Sequence, residues 1–255
     1  MTTLYQFPLS HFCEKARWLL DHKELEYVAK NLIPGLHRPF TRYKTSKDTL
    51  PMLHDGKVWV ADSTEIALYL DGMYPEKAFL RREPTFRTQA IELDQIASQI
   101  GIHVRRWMYL YLIHEPRTME IMLGERGFLK ATERFSVPII KKGVQKLYGI
   151  YPDKAQASKQ KLDELIDIVE RKLIENGGRY LVSDRFGLAD IAVCALAAPL
   201  LGPQGTPWQI DEAEVDDLPL PIREYRQQLL DRAFGQYVMR IYETERNARV
   251  DWRGC

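Results

Sequence analysis

The stretch that decides the fold is LYQFPLSHFCEKAR, which spans Leu4–Arg17. A short apolar strand there runs into a turn at Pro8, and Ser10 stands where a helix would begin, with Cys13 one turn further on. Serine is a preferred N-cap residue, and the positive end of the helix dipole favours negative charge. Either the thiolate of a bound cosubstrate or that of Cys13 would be stabilised here. A capped surface helix with a small buried cysteine accounts for the same residues equally well.

The first part of the chain, to about residue 75, alternates short strands with helices. A strand–helix–strand crossover makes the first two strands parallel, and an Asp-Gly pair between two apolar runs predicts a hairpin. The order is β-α-β-α-β-β-α, which is a small α/β module. The predicted elements are a strand Thr3–Phe7, a helix 10–22, a strand Glu26–Asn31, a short helix near 40–45, strands 51–54 and 57–60, and a helix from Asp62.

Beyond about residue 85 the strand signals end. Apolar residues at helical spacing indicate an amphipathic helix around Leu162–Leu173, and the almost entirely apolar run Gly187–Leu201 predicts a helix buried on all sides. The charged, proline-bounded segment 75–84 is the expected linker. We therefore predict an α/β domain over residues 1–76 and an all-helical domain over residues 85–255. Further helices are expected over 86–113, 118–135 and 138–147 and within 218–247.

Charge and cysteine content exclude several classes of protein. The net charge is +1, and basic residues form only short clusters, so nothing predicts binding to nucleic acid or to a membrane surface. Cys13, Cys194 and Cys255 lie too far apart for a disulfide framework or paired zinc ligands, which suits a reducing compartment. No apolar run approaches the roughly 18 residues that span a bilayer, and the start lacks a signal-peptide pattern. We expect a cytoplasmic protein without a metal.

Three local features would fit a single ligand. The first is the Ser10 turn. The second is Leu50-Pro51 at the start of a strand: if this bond is cis, Leu50 turns its backbone N–H and C=O outward, where a peptide-like ligand could pair with them. The third is Asp62-Ser63 at a helix start, which forms a small anion site. Each also has a plain structural interpretation, because most prolines at strand starts are trans and every helix start needs such residues.

Together these features resemble the thioredoxin-like domain of the glutathione transferases, and the whole chain resembles that superfamily. The matching residues are the Ser-x-x-Cys turn followed by Lys15-x-Arg17, the Leu50-Pro51 pair, Asp62-Ser63, and FGLADI over Phe186–Ile191. The last of these is similar to the N-capping motif of a buried helix in these proteins, with Asp190 as a structural cap. The resemblance implies an α/β plus all-α fold, in which a helical domain follows a thioredoxin-like domain.

The resemblance also implies glutathione as cosubstrate and gives each motif a role. Ser10 would donate a hydrogen bond to the glutathione sulfur and stabilise its thiolate, which is the form that attacks an electrophile. Leu50, before a cis Pro51, would pair through its backbone with the cysteinyl part, and Asp62 and Ser63 would hold the γ-glutamyl end. His37 is a candidate cation or donor for the glycyl carboxylate; it is equally consistent with a solvated loop residue.

Two departures from the family pattern bear on the chemistry. Gln6 stands where tyrosine-using members carry the catalytic hydroxyl, so that mode is not expected. In cysteine-using members the first position of the turn exchanges thiols, and here that position is Ser10, with Cys13 at the second. The sequence therefore favours a transferase over a glutathione-dependent thiol reductase working through Cys13. A non-catalytic binding or regulatory protein of the same fold remains a third alternative.

The second substrate, a small hydrophobic electrophile, is expected between the domains against the first long helix of the helical one. An aromatic-rich stretch there, together with Phe12 from the first helix, supplies the candidate residues. The same residues are equally consistent with aromatic side chains of the core and a solvated pair of arginines. The long segment 115–153 is expected to shape this pocket or to cover a partner surface. By analogy a homodimer is expected. The candidates on the long helix are Arg105, Arg106, Trp107, Tyr109 and Tyr111.

Overall fold

The amino-terminal part is a four-stranded sheet in the order β2-β1-β3-β4. Strand β1 (Thr2–Gln6) pairs parallel with β2 (Tyr27–Asn31) and antiparallel with β3 (Met52–Asp55), which forms a hairpin with β4 (Val58–Ala61). The computed structural model describes residues 1–123 and 128–255. The predicted order of strands and helices is confirmed, and the Asp-Gly pair makes the hairpin turn.

Three helices connect and cover these strands, and the rest of the described chain is largely helical. Helices α1 (His11–His22), α2 (His37–Thr45) and α3 (Ser63–Met73) belong to the sheet. The remaining helices are α4 (Pro84–Leu112), α5 (Pro116–Leu123), α6 (Phe128–Ala131), α7 (Glu133–Tyr148), α8 (Pro152–Glu175), α9 (Leu188–Leu201), α10 (Leu220–Leu230) and α11 (Ala233–Glu245), with a 3-10 turn at Glu212–Asp217. The thioredoxin-like arrangement followed by helices is the fold that the sequence predicts.

Helix α9 is the centre of the helical part. Every residue of Leu188–Leu201 is buried, as its unbroken apolar sequence predicts. It packs against α4 and α11 and also against α1. Asp190 caps it: its carboxylate accepts hydrogen bonds from Gly187 N (2.9 Å), Leu181 N (2.8 Å) and the Tyr237 hydroxyl (2.5 Å). Burial raises the pKa of Asp190 to about 6, because the charged form loses its hydration.

Helix α1 is buried on almost every side, including its charged residues. The side chains of Glu14, Arg17 and Asp21 are nearly inaccessible, and Arg246 at the end of α11 reaches in to meet them. Arg246 lies 2.8 Å from Glu14 Oε1 and 2.7 Å from Asp21 Oδ2. Burial tends to raise the pKa of Glu14, but Arg246 and Arg17 outweigh it and lower that pKa. At Asp21 burial outweighs Arg246 and the pKa is raised.

Between α4 and α8 the helix bounds differ from those predicted from the sequence. The predicted helix over 118–135 includes residues 124–127, which lie outside the described part of the chain. The helix predicted to start at Pro138 begins at Glu133 instead. Phe135 N and Ser136 N both bond to Thr132 O (2.9 Å), so the chain is already helical before the proline. The segment has a small core of its own, formed by Ile113, Met119, Val144 and Ile150.

The end of the chain lies along the sheet. Asn31 N donates to Cys255 O (2.8 Å) and Cys255 N donates to Ala29 O (2.9 Å), so the last residues pair with strand β2. Gln6 Nε2 donates to Trp252 O (3.0 Å) beneath them. In the described part of the chain no helix is long and apolar enough to cross a membrane. The same residues contain no group of His, Cys, Asp and Glu side chains that could hold a metal ion.

Candidate functional site

The three predicted ligand-binding motifs meet at one end of the sheet. Strand β1 is followed by the Ser10 turn, and its residue Tyr5 lies opposite Met52, so Pro51 sits where β1 ends. Met52 in turn pairs with Ala61, and Asp62 N donates to Pro51 O (3.1 Å). The bond Leu50–Pro51 is cis. Strand register therefore brings together residues that are far apart in the sequence.

Ser10 is the N-cap of α1. Its Oγ accepts a hydrogen bond from Cys13 N (3.4 Å), while its N donates to Phe7 O (3.1 Å). Because the oxygen already accepts, the hydroxyl proton can be donated outward, beside the positive end of the helix dipole. Ser10 is half-buried. It is therefore placed to stabilise a negative charge that lies in front of the helix.

Cys13 is in a different position. Its side chain is completely buried, and its Sγ accepts a weak hydrogen bond from Phe7 N (3.5 Å). Burial raises the pKa of the Cys13 thiol, and the hydrogen bonds from Ser10 and Phe7 only partly oppose this. A buried thiol with a raised pKa is a poor nucleophile. These features favour Ser10 over Cys13 as the group that meets a ligand's sulfur.

The start of α3 is held by an ionic cluster that sequence reasoning missed. Asp62 has a φ of 84°, a conformation that non-glycine residues rarely adopt, and its Oδ1 accepts from Thr64 N (2.8 Å). Thr64 donates to Asp94 of α4 (2.5 Å) and accepts from Lys15 of α1 (3.1 Å). Lys15 and Asp94, both fully buried, form an ion pair. The cluster fixes the α3 start, with its buried Ser63, against α1 and α4.

His37 and Gln6 lie at the same end of the sheet. The His37 ring packs edge-on against Phe7, with ring centroids 4.8 Å apart. Burial lowers the pKa of His37, so its imidazole is neutral at pH 7 and could serve a carboxylate only as a donor. Gln6 is fully buried, and its Oε1 accepts from Arg17 (2.5 Å). Gln6 is therefore a structural residue rather than a substitute for a catalytic hydroxyl.

On the other side of Ser10, the first turn of α1 approaches α4 closely. The imidazole of His11 bonds to Gly101 O through Nε2 (2.8 Å). A Cβ at Gly101 would come within 2.9 Å of Phe12 Cζ, so this approach requires glycine. Burial, assisted by the charge of Arg105, lowers the pKa of His11 to about 3. Phe12 is partly exposed and lies at the contact between α1 and α4.

The two neighbouring arginines of α4 have different surroundings. Arg106, predicted to bind substrate, donates from Nε to Tyr148 O (3.1 Å) and from Nη1 to Ser158 Oγ (3.0 Å), which ties α7 and α8 to α4. Arg105 instead lies over the ring of Tyr148, 3.9 Å from its centroid, and 5.7 Å from that of Phe12. The structure therefore gives Arg106 a structural position and places Arg105 beside Phe12.

The predicted aromatic residues of α4 divide in the same way. Trp107 is buried in the main core, edge-on to Tyr111 and Tyr225 at 5.6 and 5.1 Å, and does not line the surface near Ser10. Tyr109 packs against the small core of the segment between α4 and α8. Tyr148, the last residue of α7, joins Arg105 although nothing in the local sequence singles it out.

Comparison with known proteins agrees with the fold described above. Residues 4–78 match the family model of the glutathione S-transferase N-terminal domain. A glutathione transferase of Phanerochaete chrysosporium is 18% identical, with 98% of each chain covered and a TM-score of 0.64. One from Methylobacterium radiotolerans, solved with glutathione sulfonate, is 18% identical over 93% of this chain and 94% of that one, at 0.53. One from the clam Laternula elliptica is 18% identical over 97% and 95%, also at 0.53. No curated protein matches the chain.

Proposed function

We propose that this chain, a member of the glutathione transferase superfamily, binds glutathione at the Ser10 end of the sheet and activates its thiolate for attack on a small electrophile. The observation that carries the proposal is the strand register. It brings the α1 N-cap, the cis Leu50–Pro51 bond and the start of α3 to one end of the sheet. A tripeptide thiol has one sulfur, one extended backbone and one charged amino-acid end. The α1 N-cap suits the sulfur, the cis Leu50–Pro51 bond suits the backbone, and the start of α3 suits the charged end.

In this proposal each motif takes one part of the tripeptide. The thiol loses its proton to solvent, and Ser10 donates its hydroxyl hydrogen to the resulting thiolate at the positive end of α1. The backbone of Leu50 pairs with the cysteinyl part, Ser63 donates to the γ-glutamyl carboxylate, and Asp62 pairs with the ammonium. His37 donates to the glycyl carboxylate as a neutral imidazole. The thiolate then forms an S–C bond with the electrophile, whose leaving group departs or whose double bond takes up a proton.

The test separates two effects of the Ser10 side chain: the hydrogen bond that its hydroxyl would donate to the sulfur, and the capping of α1. Ser10→Gly removes the hydroxyl at a cost of only a few tenths of a kcal/mol in capping, whereas Ser10→Thr keeps it. A hydrogen bond to a charged group contributes about 1.5–3 kcal/mol. We therefore expect Ser10→Gly to raise the pKa of the bound glutathione thiol by about 1–2 and to lower turnover about 10- to 100-fold. Ultraviolet absorbance of the thiolate and turnover of a chlorodinitrobenzene measure the two effects.

Cys13→Ser is the matched control within the same helical turn. Turnover that survives Cys13→Ser and falls in Ser10→Gly supports the transferase. Turnover that falls in Cys13→Ser alone, together with disulfide-reducing activity in the unchanged protein, would assign the chemistry to Cys13 instead. Glutathione binding without turnover of any electrophile would leave a binding protein.

A further inference from the structure

Arg105 has a charge that the described part of the chain does not neutralise. Its guanidinium lies over the Tyr148 ring at 3.9 Å, and its Nε is buried without a hydrogen-bond partner. Among residues 1–123 and 128–255, no carboxylate lies within ion-pair distance of it. A buried donor without an acceptor costs free energy, and a half-buried cation gains much from a paired anion. The described residues leave the Nη atoms of Arg105 unpaired, so these atoms, unlike the enclosed Nε, are available to an external acceptor.

Other deeply placed arginines show what this chain does with such groups elsewhere. Arg246 bonds to Glu14 and Asp21, Arg17 to Glu14 and Gln6, and Arg106 to Tyr148 O and Ser158. Arg105 differs, because its contacts are two aromatic rings and no acceptor among the described residues. A guanidinium that stacks on aromatic rings keeps its N–H fork available, and that fork matches the two oxygens of a carboxylate.

Arg105 lies on the same side of the fold as Ser10, so an anion bound to Arg105 could belong to a substrate that also reaches Ser10. Arg105 is one helical turn beyond Gly101, whose carbonyl holds His11, the residue after Ser10. Phe12, on the same first turn, lies 5.7 Å from the guanidinium. His11 is neutral, so Arg105 is not in competition with an imidazolium for the anion. An electrophile that meets a sulfur at Ser10 would therefore extend past Phe12 towards Arg105 and Tyr148.

We propose that Arg105 binds an acidic group on the second substrate, so that the protein prefers aromatic electrophiles that carry a carboxylate. Phe12 and Tyr148 pack against the aromatic ring, and the guanidinium of Arg105 receives the two carboxylate oxygens. This inference rests on the proposed function, because it concerns the second substrate of the same site. It assigns the specificity to Arg105 rather than to Arg106, which is held by Tyr148 O and Ser158.

The first test measures binding without chemistry. Dinitrobenzoate and dinitrobenzamide have no halide leaving group, and the amide replaces the carboxylate by a neutral group of similar size. Their Kd values can be measured for the whole chain by calorimetry. A charge-assisted bidentate contact predicts that the benzoate binds about 10- to 100-fold more tightly than the amide. Arg105→Gln abolishes this preference, and Arg105→Lys restores part of it. Arg223→Gln, which removes the same charge from an exposed ion pair with Asp216, leaves it unchanged.

Two results would overturn the inference: equal affinity for the two ligands in the unchanged protein, or a preference that survives Arg105→Gln. Turnover of a chlorodinitrobenzoate and of its amide separates this outcome from failure of the proposed function. If neither compound is turned over but the binding preference depends on Arg105, the transferase proposal fails and the anion site stands. If the amide is turned over and the preference is absent, the transferase stands and the Arg105 proposal fails.

Discussion

Replacing Arg246 by methionine tests how the two parts of the chain are held together. Arg246 is nearly buried, with 8% of its side chain exposed, and it contacts two carboxylates that are each 1% exposed. Methionine keeps much of the packing volume but leaves Asp21 with only the Tyr27 hydroxyl, at 3.1 Å, among its described partners. Removing one partner of a buried ion pair costs about 3–5 kcal/mol, because the remaining charge stays buried.

We therefore expect Arg246→Met to lower the free energy of unfolding by about 3–5 kcal/mol at pH 7, or the melting temperature by about 6–20 °C. Arg223→Met is the control, because it breaks an exposed pair with Asp216 at a cost of about 1 kcal/mol or less. Chemical unfolding followed by circular dichroism measures both. A loss in Arg246→Met that lies within about 1 kcal/mol of the control would refute the reasoning.

The same variant has a predictable dependence on pH. In the unchanged protein the lowered pKa of Glu14 contributes stability above its ordinary value of 4.5, and this is lost as the pH falls through the lowered pKa. Without Arg246, the pKa of Asp21 rises further, so the folded variant binds protons that the unfolded chain does not. Its stability therefore increases as the pH falls. The difference between the unchanged protein and Arg246→Met should shrink from pH 7 to pH 5.

Three further substitutions address the α1–α4 contact, an open position of α7 that serves as its control, and the cap of α9. Gly101→Ala places a methyl group 2.9 Å from Phe12 Cζ and should cost about 1–3 kcal/mol and raise the KM for the electrophile. Gly143→Ala, in open space within α7, should instead stabilise by about 0.5–1 kcal/mol; equal effects in thermal melts would contradict the packing argument. Asp190, with an ordinary pKa of 3.8 and a folded pKa of about 6, binds a proton in the folded state between these values. The stability advantage of the unchanged protein over Asp190→Asn should fall by about 3 kcal/mol from about pH 4 to about pH 7, and a pH-independent difference would exclude the raised pKa.

The order of strands and helices could be predicted because local signals carry it. The Asp55-Gly56 turn, the Ser10 cap and the apolar run of α9 each specify one element without reference to the rest of the chain. Ser10, Leu50 and Asp62 meet as expected because strand register follows from the hairpin and the crossover. The cis bond before Pro51 was implied by the family resemblance and by nothing in the residues themselves.

Contacts between residues that are far apart in the chain could not be predicted from the sequence. Arg246 and Glu14 stand far apart in the chain, and nothing in either local pattern indicates the other. Arg105 and Arg106 are adjacent in the sequence, and their contacts with Tyr148 distinguish them. The Tyr148 carbonyl accepts a hydrogen bond from Arg106, and the Tyr148 ring packs against Arg105. The sequence predicts a start of α7 at Pro138, because proline favours the first turn of a helix. In the structure Pro138 follows residues that are already helical.

The pairing of the last residues with strand β2 limits how this sheet could recruit another chain. An outer strand with unpaired N–H and C=O groups is a template for strand addition. Near Ala29 and Asn31 those groups are already used by Cys255, so a foreign peptide would have to displace the protein's own backbone there. Intermolecular β-pairing next to the Gln6 end of the sheet is thus disfavoured by the chain itself. The opposite outer strand, β4, is where such pairing could begin.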